Sequence, residues 1–352
     1  MLLGDLPEAH RGGGSAEMQY QEQRVTEQSL IEAGAIAGTL KASILTCSFR
    51  GDFECTRTLC ESLDCFVGDV QQYMYVPTAD LPLFAELGSP KRILRSQDND
   101  LLPVWFRKLP MPPNPWRRWL RLPSRNVYLT PYSLPVRGWI AQQIMKIEAT
   151  ARSETEIVMH VDSDVFFVRP TTTANFLDGR GRVRFFRTPS SVDQLSHRLW
   201  QEAGNALLGL PAGTRYNADY VGQLVIWRRS VVRRMIAHIE GITGLDWRIA
   251  LARTLHFSEY TLYGLFVEHV LGFDAAGHAP EEFSLCLTRW EDGFADAADK
   301  TNFISQLKPG HVAGLIQSTL PVSAEERREV CRQMTDRART MDAAIARQGA
   351  AS

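Results

Sequence analysis

The fold of this chain is decided by the stretch Ile157-Val158-Met159-His160-Val161-Asp162-Ser163-Asp164-Val165-Phe166-Phe167. The apolar residues on both sides predict a buried strand that ends in two carboxylates one residue apart. Buried negative charge is costly, so Asp162 and Asp164 need a cation or several hydrogen bonds. Side chains two residues apart on a strand face the same way, so both carboxylates would point into one site. The pattern favours a divalent ion bound through oxygen, with a substrate phosphate completing its coordination.

Predicted strands and helices alternate before this stretch. Strands are predicted at Ser43–Thr46, Tyr73–Val76 and Arg92–Leu94, with a helix at about 52–66 after the first strand. This alternation predicts an α/β protein with a mostly parallel central sheet. The first strand ends in small and polar residues and leads into a helix, which is where open α/β sheets bind ligands. The candidate ligand-binding residues at this strand end are Thr46, Ser48 and Asp52.

The segment Arg137–Arg152 is predicted to form a helix that leads directly into the strand with the carboxylates. Its apolar residues recur at helical spacing and would face the core; they are Ile140, Ile144, Ile147 and Ala151. Gln143 and Lys146 lie on a neighbouring face, within about 100° of rotation. Lys146 would then neutralise a substrate phosphate. The alternative is a lysine that extends to solvent at the edge of the helix.

Later segments continue the alternation. Strands are predicted at Val183–Phe186 and Tyr220–Trp227, and helices at Ser191–Asn205 and Ser230–Glu240. A further helix begins after Ser258, which is a favourable N-cap residue, and Glu259 lies in its first turn, where negative charge is favourable.

Residues 101–126 interrupt the alternation, because the prolines in this segment exclude a regular helix or a central strand. The segment is also rich in arginine and tryptophan and contains no acidic residue. We favour an insertion loop whose tryptophans pack on the body of the protein. The alternative is a basic, aromatic surface for an anionic acceptor or a membrane face.

Composition excludes several classes of protein. The chain has 352 residues, 44% of them hydrophobic, which is enough for a large core. Its 39 Lys and Arg residues balance 40 Asp and Glu residues, so overall charge gives no reason to expect nucleic acid as a partner. The sequence predicts neither a signal peptide nor a membrane helix of about 18 apolar residues, so a cytoplasmic protein is expected.

The sequence is divided into three parts. Residues 1–38 form a polar tail, in which a short helix at Thr26–Ala37 is possible; residues 39–322 form one domain with an insertion at about 101–130; residues 323–352 form a charged helix with a solvated face. The six cysteines contain no Cys-x-x-Cys pair, so we expect buried, reduced thiols and no zinc site.

Three motifs in order carry a resemblance that covers about residues 40–320. They are Gly138-Trp139-x-x-Gln142-Gln143-x-x-Lys146, Asp162-Ser163-Asp164 and Ser258-Glu259-Tyr260-x-x-Tyr263-Gly264. With these motifs the chain resembles nucleotide-sugar glycosyltransferases of the A-type (GT-A) fold, and most closely a group of bacterial proteins regarded as such enzymes. The resemblance implies a single GT-A-like domain, with a Rossmann-related, mostly parallel sheet flanked by helices.

The same resemblance implies a function and a set of roles. A glycosyltransferase of this kind moves a sugar from a nucleotide-sugar donor to a hydroxyl of a glycan or a lipid-linked acceptor. Asp162, Asp164 and His311 would bind Mn²⁺ or Mg²⁺ at the donor diphosphate. The remaining donor-binding candidates are Thr46, Ser48, Asp52, Gln143 and Lys146, with the first three at the nucleoside. A general base is needed if the enzyme inverts, and the candidates are Asp219 and Glu259.

Three alternatives stay open. Glu259 could serve only as a favourable residue at a helix start. The protein could bind a sugar nucleotide or a glycan without turnover. It could also be a metal-dependent phosphohydrolase with Asp162 as nucleophile, although the bulky Val165-Phe166-Phe167 that follows the aspartates is unusual for such enzymes.

Overall fold

The computed structural model describes residues 41–68, 70–110, 116, 126–189 and 194–351. The predicted tail and the helix at Thr26–Ala37 lie outside these residues. The strands are β1 Ala42–Cys47, β2 Gln71–Val76, β3 Arg92–Ser96, β4 Arg107–Lys108, β5 Val127–Leu129, β6 Val136–Arg137, β7 Ile157–His160, β8 Val165–Phe167, β9 Val183–Phe186, β10 Val225–Arg228, β11 His278–Glu281, β12 Cys286–Arg289 and β13 Ala313–Ile316.

α-Helices of four to 28 residues connect and cover these strands. They are α1 Phe53–Phe66, α2 Leu81–Phe84, α3 Gln97–Asp100, α4 Gly138–Arg152, α5 Leu195–Leu208, α6 Arg229–Thr243, α7 Trp247–Ala252, α8 Glu259–Leu265, α9 Phe273–Ala276, α10 Ala297–Ser305 and α11 Ala324–Ala351. Short 3₁₀ turns lie at Arg50–Asp52, Thr78–Asp80, Ala85–Leu87 and Thr173–Phe176, and a π-helix at Phe266–Leu271 continues α8.

The central sheet has the strand order β10-β7-β1-β2-β3. Strands β7, β1, β2 and β3 are parallel, and β10 is antiparallel to β7. The predicted mixed α/β fold with a mostly parallel sheet is therefore confirmed. From β1 the chain builds outward through β2 and β3 and then returns to the other side of β1 as β7. The carboxyl ends of β1 and β7 thus meet where the strand order reverses.

Two apolar layers cover the faces of this sheet. One layer contains α4 and α6 and includes Ile144, Trp227 and Met235. The other contains α1 and includes Leu59 and Met159. Of the predicted core residues of α4, Ile140, Ile144 and Ile147 are buried, and Ala151 is partly buried and packs against the same core. The helical spacing found in the sequence is confirmed.

A three-stranded sheet with the order β12-β13-β8 adjoins the central one. Strand β13 is antiparallel to β8, with Leu315 opposite Val165 and Ala313 opposite Phe167. The carboxyl end of β13 therefore lies beside the residues that precede β8, which include Asp164. Strands β9 and β11 form a separate parallel pair.

The predicted strand Tyr220–Trp227 is shorter in the structure, where β10 begins only at Val225. The reason lies in the backbone of Leu224, whose φ angle of 57° is incompatible with an extended strand. The preceding residues leave the sheet, and Gln223 turns toward Asp162. Residues 191–193 of the predicted helix Ser191–Asn205 lie outside the described residues, and the helix runs over Leu195–Leu208.

The predicted C-terminal helix is α11, which has a buried face in addition to the predicted solvated one. Val330, Met334 and Ala338, spaced four residues apart, form one face of α11 and pack against Phe166 and Ile304. Arg327 is buried and donates hydrogen bonds to the carbonyl oxygens of residues 316, 317 and 320. The first turns of α11 thus hold the segment that follows β13.

All six cysteines are free, as predicted. The prediction that all of them are buried is wrong. Cys65 is exposed, while Cys55 and Cys331 are partly buried. Cys55, Cys60 and Cys65 follow one another at five-residue intervals, so each is rotated about 140° from the last and only one of them can face the core directly.

The predicted insertion contains a small antiparallel sheet with the order β4-β5-β6. Trp105 packs on the body, with its ring centroid 5.1 Å from that of Tyr132, as the favoured interpretation predicts. Residues 111–115 and 117–125, which include Trp119, lie outside the described residues. In the part of the chain that the structure describes, no helix is both long and apolar enough to cross a membrane.

Gly264, the last residue of the third motif, is required by packing. A Cβ atom at this position in α8 would overlap the ring of Tyr220. We expect Gly264→Ala to lower the free energy of unfolding by about 1–3 kcal/mol, measured by urea denaturation. Gly241→Ala is the matched control, because a Cβ there meets nothing within 4 Å and alanine favours the helix by about 0.5–1 kcal/mol. Equal stability of the two variants would contradict this packing argument.

Candidate active site

The sequence predicted that the two carboxylates end a strand, but in the structure they lie in a turn. Strand β7 ends at His160, and β8 begins at Val165. The same-side argument from strand alternation therefore does not apply to Asp162 and Asp164. The turn that contains them follows β7 at the carboxyl edge of the central sheet. It is anchored there by Val161, whose amide donates a hydrogen bond to the Leu45 carbonyl of β1 at 3.0 Å.

Asp162 is fixed through both carboxylate oxygens. Its Oδ1 accepts a hydrogen bond from Lys146 Nζ at 3.1 Å, and its Oδ2 accepts one from Gln223 Nε2 at 2.9 Å. Burial raises the pKa of Asp162, but the ammonium of Lys146 and the amide of Gln223 outweigh it, and the pKa lies below its ordinary value. Asp162 is therefore a carboxylate at neutral pH.

Lys146 is buried among groups that favour its charge. Besides Asp162, its ammonium contacts Glu259 Oε1 at 3.1 Å and donates to the Tyr260 hydroxyl at 2.9 Å. Burial lowers the pKa of Lys146, but Asp162 and the Tyr260 hydroxyl raise it well above its ordinary value. Only 6% of Lys146 is exposed, so the lysine does not extend to solvent. Its charge is paired within the protein, whereas the sequence predicted that it would neutralise a substrate phosphate.

Asp164 has no cationic partner among the residues described. Its Oδ2 accepts one hydrogen bond, from the backbone amide of Ser318 at 2.7 Å. Burial and the negative charge of Asp162 raise the pKa of Asp164 to about 7. The carboxylate form of Asp164 is therefore poorly stabilised by the protein itself.

The residues predicted at the end of β1 lie at the same edge, but only one of them faces the site. Asp52 Oδ2 accepts a hydrogen bond from Ser163 Oγ at 3.1 Å, and burial raises the pKa of Asp52. Thr46 is fully buried and accepts a hydrogen bond from Gln72, while Ser48 Oγ is bonded to Thr56. The structure thus brings Asp52 together with the turn of Asp162 to Asp164.

Glu259 and Gln143 join α8 to α4. Gln143 Oε1 accepts a hydrogen bond from the Glu259 backbone amide at 2.8 Å, which fixes the start of α8. Ser258 caps this helix as predicted, accepting a hydrogen bond from the Thr261 amide. The Glu259 side chain is only 6% exposed and is paired with Lys146.

Asp219 is more accessible, with 23% of its side chain exposed. Its Oδ1 accepts a hydrogen bond from the Val221 amide at 2.9 Å, and its Oδ2 lies 3.7 Å from His197 Nδ1. Asp219 lies four residues before Gln223, whose side chain contacts Asp162.

The donor set of the turn can accept a divalent ion. Across the residues described, no three His, Cys, Asp or Glu side chains are grouped to hold a metal. Mg²⁺ is usually held by only one or two carboxylates, with substrate phosphates and water as the other ligands, so such a cage is not required. Asp164, whose pKa is raised by burial and then by the negative charge of Asp162, fits this kind of site. Gln223 Oε1 is buried and accepts no hydrogen bond from the protein.

Residues 40–336 match a family model described as a family of unknown function (DUF6492). The chain belongs to this family. No curated protein matches the chain. All the residues of the site described above lie inside the matched range.

His311 is not brought together with the two aspartates. It precedes β13, whereas Asp164 lies at the opposite end of this strand, about five residues or 16 Å away along β8. His311 Nδ1 accepts a hydrogen bond from the Lys308 amide at 2.9 Å, and its ring stacks on Phe283 with 4.9 Å between centroids. Burial, then the charge of Lys308, lowers its pKa to about 4.

Two contacts of this DUF6492 site have no counterpart in the motifs. Gln223 reaches Asp162 from a segment that the sequence predicts to be a strand, and Ser318 reaches Asp164 through its backbone amide. A backbone donor carries no side-chain signal in a sequence. The buried contact between Lys146 and Tyr260, in contrast, joins the first and third of the sequence motifs.

Lys146 should matter more for stability than any surface cation. Lys146→Met leaves Asp162 and Glu259 without a counter-charge, and breaking such a buried pair should cost about 3–5 kcal/mol of unfolding free energy. Adding Glu259→Gln to this variant should recover part of the loss, because one uncompensated charge is removed. Arg332→Met is the control, since this arginine is 62% exposed and its ion pair with Glu329 is screened by solvent, so its loss should change stability far less.

Urea denaturation of the wild type and the three variants measures these differences. A Lys146→Met protein as stable as Arg332→Met, or a double variant no more stable than the single one, would contradict the assignment of Lys146 as the shared counter-charge.

Proposed function

We propose that this protein is a metal-dependent glycosyltransferase of the A-type fold, which moves a sugar from a nucleotide-sugar donor to a hydroxyl acceptor. The observation that carries the proposal is the position of Asp162, Asp164 and Asp52. All three lie where the carboxyl ends of β1 and β7 meet and the strand order reverses. Open α/β sheets bind nucleotides in the crevice at this point.

The charges at the crevice support a donor diphosphate bound with a cation. The Lys146 ammonium balances one of its two carboxylate neighbours, and Asp52 and Asp164 add further negative charge. A diphosphate alone would be repelled there. A divalent ion, Mn²⁺ or Mg²⁺, would supply Lewis-acid stabilisation of the departing nucleoside diphosphate.

The protein's own residues then orient and support this site. Lys146 and Gln223 hold Asp162 in one position, and the Ser318 amide orients Asp164. In this proposal Lys146 positions Asp162 and has no direct contact with phosphate.

Asp219 is the better-placed general base if the reaction inverts. A base must reach the acceptor hydroxyl within hydrogen-bond distance. Asp219 is partly exposed and has no lysine or arginine partner within the described residues, whereas Glu259 is buried against the Lys146 ammonium. We therefore assign Glu259 the role of holding Lys146 and the start of α8.

The residues after the two aspartates favour transfer over phosphate hydrolysis. Val165, Phe166 and Phe167 are bulky, whereas a phosphohydrolase with a nucleophilic aspartate usually has a threonine or serine shortly after it. No comparable observation favours a protein that binds the sugar nucleotide without turnover. Measuring whether the nucleotide sugar is consumed distinguishes such a binding protein from an enzyme.

Binding of nucleoside diphosphates tests the proposal. Uridine, guanosine and cytidine diphosphates are titrated in a thermal-shift assay with Mg²⁺, with Mn²⁺ and with EDTA. At a hundred times its Kd the correct nucleotide adds about 2.7 kcal/mol to the free energy of unfolding, and it should do so only with the metal. Asp164→Asn should abolish the metal-dependent shift, whereas His311→Ala should retain it, because His311 lies at the far end of β13.

Equal stabilisation in EDTA, or by none of the three nucleotides, would contradict the proposal. Loss of the metal-dependent shift in His311→Ala but not in Asp164→Asn would place the metal elsewhere. Metal-dependent binding without consumption of any nucleotide sugar would indicate a binding protein.

A further inference from the structure

Three aromatic side chains form a row beside the start of α4. The rings of Trp139 and Trp200 lie 6.0 Å apart between centroids, and Trp200 stacks on His197 at 4.9 Å with an angle of 28°. All three side chains are partly exposed. The row joins the start of α4 to the first turns of α5.

Helix α4 connects this row to the aspartates. Trp139, Gln143 and Lys146 are separated by four and three residues, so they lie along one side of the helix. Lys146 contacts Asp162, and Gln143 contacts the start of α8. Seven residues of helix correspond to about 10 Å, so the row begins roughly one or two sugar rings from the carboxylates.

The two tryptophans are available to a ligand. Trp139 rests on the main core, whereas Trp200 is absent from the residues packed against that core. Neither indole N–H has a hydrogen-bond partner within the described part of the chain, and neither is buried. Tryptophans that serve only the core usually hide their rings and satisfy the N–H.

Polar groups border the aromatic row on one side. His197 Nδ1 lies 3.7 Å from Asp219 Oδ2, and Asp219 is the residue that we assign as general base. The segment from Asp219 to Gln223 then returns to Asp162. The row therefore leads to the point where an acceptor hydroxyl would have to lie.

We propose that Trp139, Trp200, His197 and Asp219 form the acceptor subsite, and that the acceptor is a saccharide. This inference rests on the proposed glycosyltransferase function. A pyranose ring has an apolar face of C–H groups that packs on an aromatic ring and an edge of hydroxyls that bonds to carboxylate and imidazole groups. A lipid chain would use the tryptophans but leave Asp219 and His197 without a role.

Saturation-transfer NMR with a panel of defined neutral and acidic disaccharides and trisaccharides tests the inference. The full chain is used with Mg²⁺ and the nucleoside diphosphate that it binds. At least one saccharide should bind, and Trp200→Ala should weaken it about tenfold or more. Trp200→Phe should retain part of the affinity because it keeps an aromatic face.

Leu195→Ala is the matched control, since Leu195 is 65% exposed on the same helix but lies about 140° around its axis from Trp200. It should bind saccharide as the wild type does. The affinity for nucleoside diphosphate and Mg²⁺ should be unchanged in all three variants.

Failure of this inference is distinguishable from failure of the proposed function. Normal metal-linked nucleotide binding with no bound saccharide, or with equal saccharide affinity in Trp200→Ala, would overturn the acceptor assignment alone. Binding to anionic phospholipid vesicles that Trp200→Ala abolishes, without saccharide binding, would assign the row to a lipid instead. Absence of metal-linked nucleotide binding in the wild type would overturn the function itself.

Discussion

The arrangement of the site depends on one buried ammonium group. Lys146 contacts Asp162, Glu259 and Tyr260, and these contacts connect α4, the turn after β7 and the start of α8. A buried lysine is tolerated only with partners that compensate its lost hydration, and here two carboxylates and a hydroxyl do so. Because the partners belong to three separate segments, the same ion pairs that keep Lys146 charged also fix the positions of the segments.

This arrangement leaves the carboxyl edge of the sheet with excess negative charge. Lys146 is shared by two carboxylates, while Asp164 receives only a backbone hydrogen bond. The raised pKa of Asp164 and that of Asp52 are consequences of burial beside other acids. Such local destabilisation is typical of functional sites, where a bound cation or substrate supplies the missing interaction. The proposed metal and diphosphate would do so here.

Much of the fold could be predicted from the sequence, because strands and helices alternate with clear spacing and α4 has a regular apolar face. The buried face of α11 was not predicted, because the charged residues around Val330, Met334 and Ala338 hide their four-residue spacing. The partners of the aspartates could not be predicted. Gln223 depends on the unusual backbone of Leu224, and Ser318 contributes only an amide brought near by the pairing of β13 with β8.

The most direct test is the titration of the aspartate carboxyl carbons by NMR in protein labelled with ¹³C at these positions. Asp164→Asn assigns the signal. Without metal, Asp164 should titrate near pH 7 and Asp162 below its ordinary value. Mg²⁺ together with the bound nucleoside diphosphate should lower the pKa of Asp164, because a cation favours the carboxylate. An Asp164 carboxyl that titrates near 3.9, the value of an exposed aspartate, or one that Mg²⁺ leaves unchanged, would contradict the account.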